Sequence, residues 1–302
     1  MFQTMGLFGL PADPRVTRKL MKRLIALDAI LVVFAVAGVA LGGWMLTRPV
    51  QTQIGDGPAE LSVQAVTFHS DSGANVAAWW CPLSGSRGTV LLLPGVRANR
   101  LSMVDRARFL RRAGYSTLLI DFQATGETRG DRITFGWKES RDVLAAVEFI
   151  RKIQPADHIG IIGSSLGGAA ALFAHPPLKV DALILEAVYP TIEIATKNRL
   201  QNYLGPIGHW FAPLLLKQLH TRLGVSAGDL RPIDHIANVG CPVLLINGEK
   251  DRSTRPEDAH LLLSRAQSPK QLWFVSNARH VDLHKAATAE YESRVLAFLD
   301  QM

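Results

Sequence analysis

Only two cysteines, Cys81 and Cys241, occur in 302 residues, too few for a disulfide framework or a multi-cysteine zinc site. Each sits beside a strand-like apolar run, so two inert buried thiols are expected rather than a bridge. Internal repeats and low-complexity tracts are absent, and so are the G-x-G-x-x-G and P-loop patterns of phosphate-binding folds. Charged residues make up only 20% against 48% hydrophobic, which excludes wholesale disorder and allows a sizeable core. The net charge of +7 would suggest nucleic acid if it covered one face. It does not. Residues 1–23 hold five bases (Arg15, Arg18, Lys19, Lys22, Arg23) against Asp13, leaving 7 − 4 = +3 for the other 279 residues. The length suits one α/β domain of about 250 residues with an appendage of a few tens.

That appendage reads as a membrane anchor. Ala29–Met45 carries no charge, and Leu24–Leu46 as a helix would span about 34 Å, enough for a hydrocarbon core of about 30 Å. Asp28 lies near the basic end, and Trp44 sits where an amphipathic ring prefers the interface. The basic residues precede the segment, so 1–23 should stay cytoplasmic and the remainder be exported. Two other readings compete. Ala35–Val36–Ala37 resembles a signal-peptide cleavage site, although apolar residues continue to Met45. A buried core helix is the other, and the basic flank argues against it. Residues 47–60, with Pro49, Gly55, Gly57 and Pro58, read as a linker.

From residue 61 to 302 strand and helix patterns alternate. Leu61–Phe68 and Val76–Cys81 form an expected hairpin, followed by strands at Thr89–Leu93, Thr117–Asp121, Ile159–Ile162, Ala182–Leu185, Val243–Ile246 and Leu272–Val275. Helical spacing covers Met103–Ala113, Lys138–Ile153, Leu166–Ala174, Glu257–Ala266 and Tyr291–Leu299. Glu139 and Asp142 open one of these helices and would complement its dipole. The order implies an α/β fold: a mostly parallel sheet of about eight strands wrapped by helices. Residues of about 191–239 break the alternation with two amphipathic segments, a small helical cap over the carboxyl ends of the strands. Its Trp210, Phe211, Leu214, Leu215 and Leu216 either line an acyl pocket or pack the cap on the body.

Gly163–Ser164–Ser165–Leu166–Gly167 fits G-x-S-x-G, with a strand leading in and a small-residue helix leading out. A tight turn there lifts a serine hydroxyl above the sheet edge, and glycines on both sides allow strand and helix to approach. A serine needs a base and an orienting acid. Asp251 follows the strand Val243–Ile246, and His280 follows Leu272–Val275; both loops should open on the same sheet edge as Ser165. Glu186, after Ala182–Leu185, is the rival acid. Ser164 is a weaker nucleophile candidate because it lacks flanking glycines at −2 and +2. His280 and His284 are spaced i, i+4, yet the H-E-x-x-H pattern is missing, so no metal is expected.

These motifs resemble the α/β-hydrolase superfamily, in its serine-hydrolase branch of small esterases, monoacylglycerol lipases and S33-type peptidases. The resemblance implies Ser165 as nucleophile, His280 as base then acid, and Asp251 as the group orienting His280. It implies an oxyanion hole from the backbone N–H of Val96, after Leu91–Leu92–Leu93–Pro94–Gly95, and of Leu166. Two departures stand out: Pro94–Gly95 replaces a frequent His-Gly, and Asp121–Thr128 departs from D-x-R-G-x-G-x-S at Gln123 and Ala124. The implied activity is hydrolysis of carboxylic esters or thioesters by a membrane-anchored enzyme without cofactor, on a small-molecule or lipid ester. An S33-type peptidase and a non-catalytic binding scaffold are the alternatives.

Overall fold

The computed structural model describes residues 14–301; residues 1–13 of the basic segment lie outside that range. One helix, α1 (Pro14–Thr47), leads the chain. Its Arg18–Thr47 portion is long and apolar enough to cross a membrane. It stops where Arg48 precedes Pro49, since the residue before a proline is pushed out of helical conformation.

The stretch expected as a linker is pinned to the domain. Its β1 (Val50–Gln51) pairs in parallel with Thr125–Gly126. The Ile133 N–H donates to the Thr47 carbonyl at 2.9 Å, and the Ile54 N–H to Glu127 at 2.9 Å. Its prolines and glycines keep it out of long elements without leaving it loose. A turn at Ala59–Leu61, closed by Ser62 at φ 51°, then delays the first long strand to residue 64.

Next come β2 (Gln64–His69), β3 (Asn75–Cys81), β4 (Thr89–Leu93), α2 (Val104–Arg112), β5 (Ser116–Ile120) and the short β6 (Thr125–Gly126). After them run α3 (Glu139–Ile153), β7 (Ile159–Ser164), α4 (Leu166–Phe173) and β8 (Ala182–Glu186). The cap supplies α5 (Ile192–Leu204), α6 (Ala212–Leu216) and α7 (Gln218–Leu223), and α8 (Pro232–His235) leads out of it. The chain closes with β9 (Val243–Gly248), α9 (Pro256–Arg265), β10 (Lys270–Val275), α10 (Leu283–Ala286) and α11 (Thr288–Leu299).

Eight strands form one sheet in the order β10-β9-β8-β7-β4-β5-β3-β2. β2 and β3 run antiparallel to their neighbours and the other pairings are parallel. The central strands β4, β5 and β8 are buried at every residue, which is why they read as unbroken apolar runs rather than alternations. At the edges, β2 and β10 alternate toward solvent. One core lies between the sheet and α3, α4, α8 and α9; the other is built by α2, α10 and α11. α11 shows the logic: Tyr291, Val295, Phe298 and Leu299 are its buried residues, spaced for one helix face, each stabilising by about 1.5–3 kcal/mol.

Glu139 and Asp142 do more than complement a dipole, because both are buried. Asp142 accepts from the Ser70 and Ser72 hydroxyls at 2.6 and 2.5 Å and from the Gln123 N–H at 2.8 Å, tying the β2–β3 turn to the loop after β5. Burial pushes its carboxyl up to about 6, against the lowering effect of those hydrogen bonds. Cys81 and Cys241 are both free thiols, one buried and one half-buried. Burial pushes each up to about 11, away from the reactive thiolate form.

Candidate active site

Ser165 ends the tightest turn of the sheet. Its backbone sits at φ 48°, ψ −106°, a conformation costly for a residue with a side chain. The turn is held because the Ser165 N–H donates to the Glu186 carbonyl at 2.7 Å, while its own carbonyl receives the Ala169 N–H at 3.0 Å. The flanking glycines are a steric requirement. A Cβ on Gly163 would lie 2.6 Å from the Gly168 nitrogen, and one on Gly167 would lie 2.5 Å from the Leu93 carbonyl oxygen. Strand β7, helix α4 and the end of β4 meet there with no room for side chains.

The loops after β9 and β10 are stitched together beside this turn. A Cβ on Gly248 would fall 2.6 Å from the Ala278 carbonyl oxygen. The Lys250 N–H donates to the same oxygen at 2.8 Å, and the Asn277 N–H to Glu249 at 2.8 Å. The pairing brings His280 Nδ1 to 2.7 Å from Asp251 Oδ2. Asp251 is buried and all its lone pairs are used. Oδ1 accepts from the N–H groups of Ser253 and Thr254 at 2.7 and 3.0 Å, and Oδ2 also accepts from the Thr254 hydroxyl at 2.7 Å. Burial raises the Asp251 pKa. Hydrogen bonding to His280, the charge of that ring and both Thr254 donors outweigh burial and hold the carboxyl below its usual range. Thr254 escaped the sequence reading; the Asp251–Arg252–Ser253–Thr254 run, an aspartate followed by hydroxyl residues at +2 and +3, is its only signal.

Glu186 is occupied elsewhere. Arg106 donates to its two oxygens at 2.9 and 2.7 Å, and the Tyr291 hydroxyl donates to it as well. His284 packs against Phe109 and Tyr291, ring centroids 5.3 and 5.1 Å away, with Nε2 at 3.0 Å from Glu292. Among the described residues no cluster of three His, Cys, Asp or Glu side chains is placed to hold a metal ion. Asp121, at the departing D-x-R-G-x-G-x-S position, receives its guanidinium from Arg100, a residue outside that loop, and Arg100 also pairs with Glu127.

Ser165 and His280 open on a cavity of about 210 Å³ that Val96, Leu166 and Thr254 also line. Among the described residues the N–H groups of Val96 and Leu166 have no backbone acceptor in the turns and loops around them. The turn at Pro94–Gly95 passes close by: a Cβ on Gly95 would sit 3.9 Å from the Ser165 Cβ. The rest of the wall comes from Phe135, Tyr189, Ile192 and cap side chains. Of the five cap residues expected either to line a pocket or to pack the cap on the body, Leu215 and Leu216 reach the cavity; Phe211 is half-buried away from it, and Trp210 and Leu214 point outward, 72% and 45% exposed. Leu219 and Leu223 of α7 take their place, and α1 adds Gly43, Leu46 and Thr47. Among the described residues no aspartate or glutamate lines the cavity, whereas Arg97, Arg199 and Arg222 do.

A mostly parallel eight-stranded sheet with a strained serine turn after its central strand, and helices on both faces, defines an α/β hydrolase. The sequence of the alpha/beta hydrolase family matches residues 90–293, and the chain belongs to that family. Among its relatives are YqkD of Bacillus subtilis, 23% identical over 80% of this chain and 81% of that protein, and the alpha/beta hydrolase domain-containing protein WAV2 of Arabidopsis thaliana. WAV2 is 27% identical, with 81% of each chain covered. Among solved structures the Pyrococcus furiosus esterase Pf2001 superposes with a TM-score of 0.71, at 22% identity over 85% of this chain and 98% of that one.

Proposed function

We propose that this protein is a membrane-anchored serine hydrolase that cleaves carboxylic esters through an acyl-enzyme. The observation that carries the reading is the shared cavity of Ser165 and His280, with His280 held at 2.7 Å by a buried, fully hydrogen-bonded Asp251. Ser165 Oγ attacks the ester carbonyl carbon and passes its proton to His280 Nε2, while Asp251 keeps the Nδ1 proton in place and stabilises the imidazolium. The tetrahedral oxyanion is met by the N–H of Leu166 at the amino end of α4 and the N–H of Val96 in the loop after β4. Collapse breaks the C–O bond, and the alkoxide leaves with the proton from His280. Water, deprotonated by the same ring, then releases the acid and restores Ser165.

The apolar wall favours an acyl chain. Among the described residues no carboxylate lines the cavity to pair with the ammonium of a peptide amino terminus, which disfavours the peptidase alternative. The esterase named among the structural neighbours agrees with this direction. α1, with its basic residues at the amino end, serves as the anchor and places residues 50–302 outside the cytoplasm. The test is a fluorophosphonate probe followed by peptide mapping, together with p-nitrophenyl esters from acetyl to dodecanoyl and a set of aminoacyl-anilides. The adduct should fall on Ser165 and vanish in Ser165→Ala, with kcat/KM rising about threefold to fourfold per CH₂ until the pocket fills. A flat ester series with efficient anilide cleavage, or labelling elsewhere, would overturn the proposal.

A further inference from the structure

The cap grips α1 at a level that fixes its depth relative to the bilayer. Every described residue of α1 from Arg18 to Gly38 is exposed, as expected for a segment whose solvent is lipid. Counting from Leu24, just past the basic cluster, a core of about 30 Å consumes about 20 residues and ends near Gly43. The cap takes hold earlier. Gln218 Nε2 donates to the Val39 carbonyl at 3.1 Å, and Arg222 to the Ala40 carbonyl at 2.8 Å. Gly43 is buried against α7, where a Cβ would meet Gln218 Oε1 at 2.5 Å. Val39 lies four residues, about 6 Å, below Gly43 along the helix. The grip therefore falls at or just inside the edge of the hydrocarbon.

Continuous with that grip is an apolar surface without a partner. Tyr203, Leu204, Ile207, Trp210 and Leu214 are 79%, 48%, 62%, 72% and 45% exposed, from the end of α5 into α6, and α6 packs on α1. The surrounding cap, residues 192–223, carries four bases (Lys197, Arg199, Lys217, Arg222) against one acid, Glu193. An exposed apolar face with a basic rim is the chemistry of a segment lying in an anionic headgroup layer. The cavity reaches the same place, because Gly43, Leu46 and Thr47 of α1 form part of its wall.

We infer that the outer face of the cap is seated in the leaflet from which α1 emerges, and that the pocket, walled by cap and anchor together, takes lipid esters directly from that leaflet. The substrate half rests on the hydrolase reading; the seating of the cap rests on α1 spanning the bilayer.

The experiment uses the full chain reconstituted in vesicles of phosphatidylcholine and phosphatidylglycerol containing lipids brominated close to the headgroup. Trp210→Phe should show less bromine quenching of tryptophan fluorescence than the unsubstituted protein, Trp44 being common to both. Equal quenching would overturn the seating, as expected if the face instead held a second copy of this chain. In parallel, Ile207→Ser combined with Trp210→Ser, neither of which lines the cavity, should leave turnover of soluble p-nitrophenyl acetate within twofold. Hydrolysis of monodecanoylglycerol in the same vesicles should drop at least tenfold. Equal effects on both substrates, or none on either, would overturn delivery from the leaflet. An unsubstituted protein that hydrolyses neither ester yet is quenched through Trp210 would refute the hydrolase reading and the substrate half, while supporting the seated cap.

Discussion

Replacing Asp251 by Asn separates chemistry from folding more sharply than any other change at this site. The carboxylate receives four donors: Ser253 N–H at 2.7 Å and Thr254 N–H at 3.0 Å on Oδ1, Thr254 hydroxyl and His280 Nδ1 at 2.7 Å each on Oδ2. An asparagine fits the same space with one oxygen and one amino group. The oxygen must face the two backbone N–H groups, which cannot turn, so the amino group faces Thr254 and His280. The hydroxyl can rotate to accept. The imidazole can accept at Nδ1 only by moving its proton to Nε2, and Nε2 then cannot take the proton of Ser165. Folding loses charge assistance in a few hydrogen bonds, about 1–2 kcal/mol. Turnover should fall roughly 10⁴-fold, about 5.4 kcal/mol in the barrier, if the serine-protease precedent holds. The assay is kcat on p-nitrophenyl butyrate with a thermal melt on the same preparation. A melt lowered by a few degrees with kcat within tenfold of the unsubstituted protein would refute the tautomer argument and remove Asp251 from the proposed role.

Two further outcomes follow from the buried charges. Arg106→Ala leaves the Glu186 carboxylate buried beside Tyr291 without its bidentate partner, and should cost roughly 3–5 kcal/mol in chemical denaturation; Arg106→Met with Glu186→Met should recover more than half, and a loss under 1 kcal/mol for the alanine variant would refute the account. Asp142 has its folded-state pKa raised from 3.8 to about 6, so between those values the native state binds more protons than the unfolded chain and stability falls as pH rises. The slope from this group is at most about 1.4 kcal/mol per pH unit, and it vanishes above about 6. Asp142→Asn, whose amide can donate to the two serine hydroxyls and accept from Gln123, should flatten that slope when stability is measured between pH 4 and 7; an unchanged profile would place the titration elsewhere.

The centre of the sheet was legible because its strands are buried on both faces. A run such as Thr89–Leu93 carries its own signal, apolar at nearly every position, and order along the chain then forces parallel neighbours. What escaped is order without repeating pattern. Residues 47–60 look like a spacer in composition, yet β1 reaches β6 through backbone hydrogen bonds, which any side chains permit. Likewise Glu139 and Asp142 look like helix-end acids until their partners in other loops, Ser70, Ser72 and Gln123, are known. Composition cannot reveal a partner seventy residues away.

Within the site, the residues that sequence reasoning brings together are those subject to hard steric or electrostatic rules. Gly163 and Gly167 leave no room for a Cβ, so the serine turn writes itself into the chain as a pattern. The support around Asp251 is softer, since any hydroxyl or N–H two or three residues on would satisfy its oxygens, and Thr254 carries no distinguishing motif. The cap is softer still. Helical periodicity identifies an apolar face on Trp210–Leu223 but not what that face meets. Leu215 shares the cavity wall with the end of α1, some 170 residues earlier in the chain. A cap read by itself leaves its tryptophan open between the pocket and the body; beside α1 it does neither, and Trp210 stays 72% exposed. α1 therefore belongs to the description of the pocket, and removing residues 1–48 would remove part of its wall.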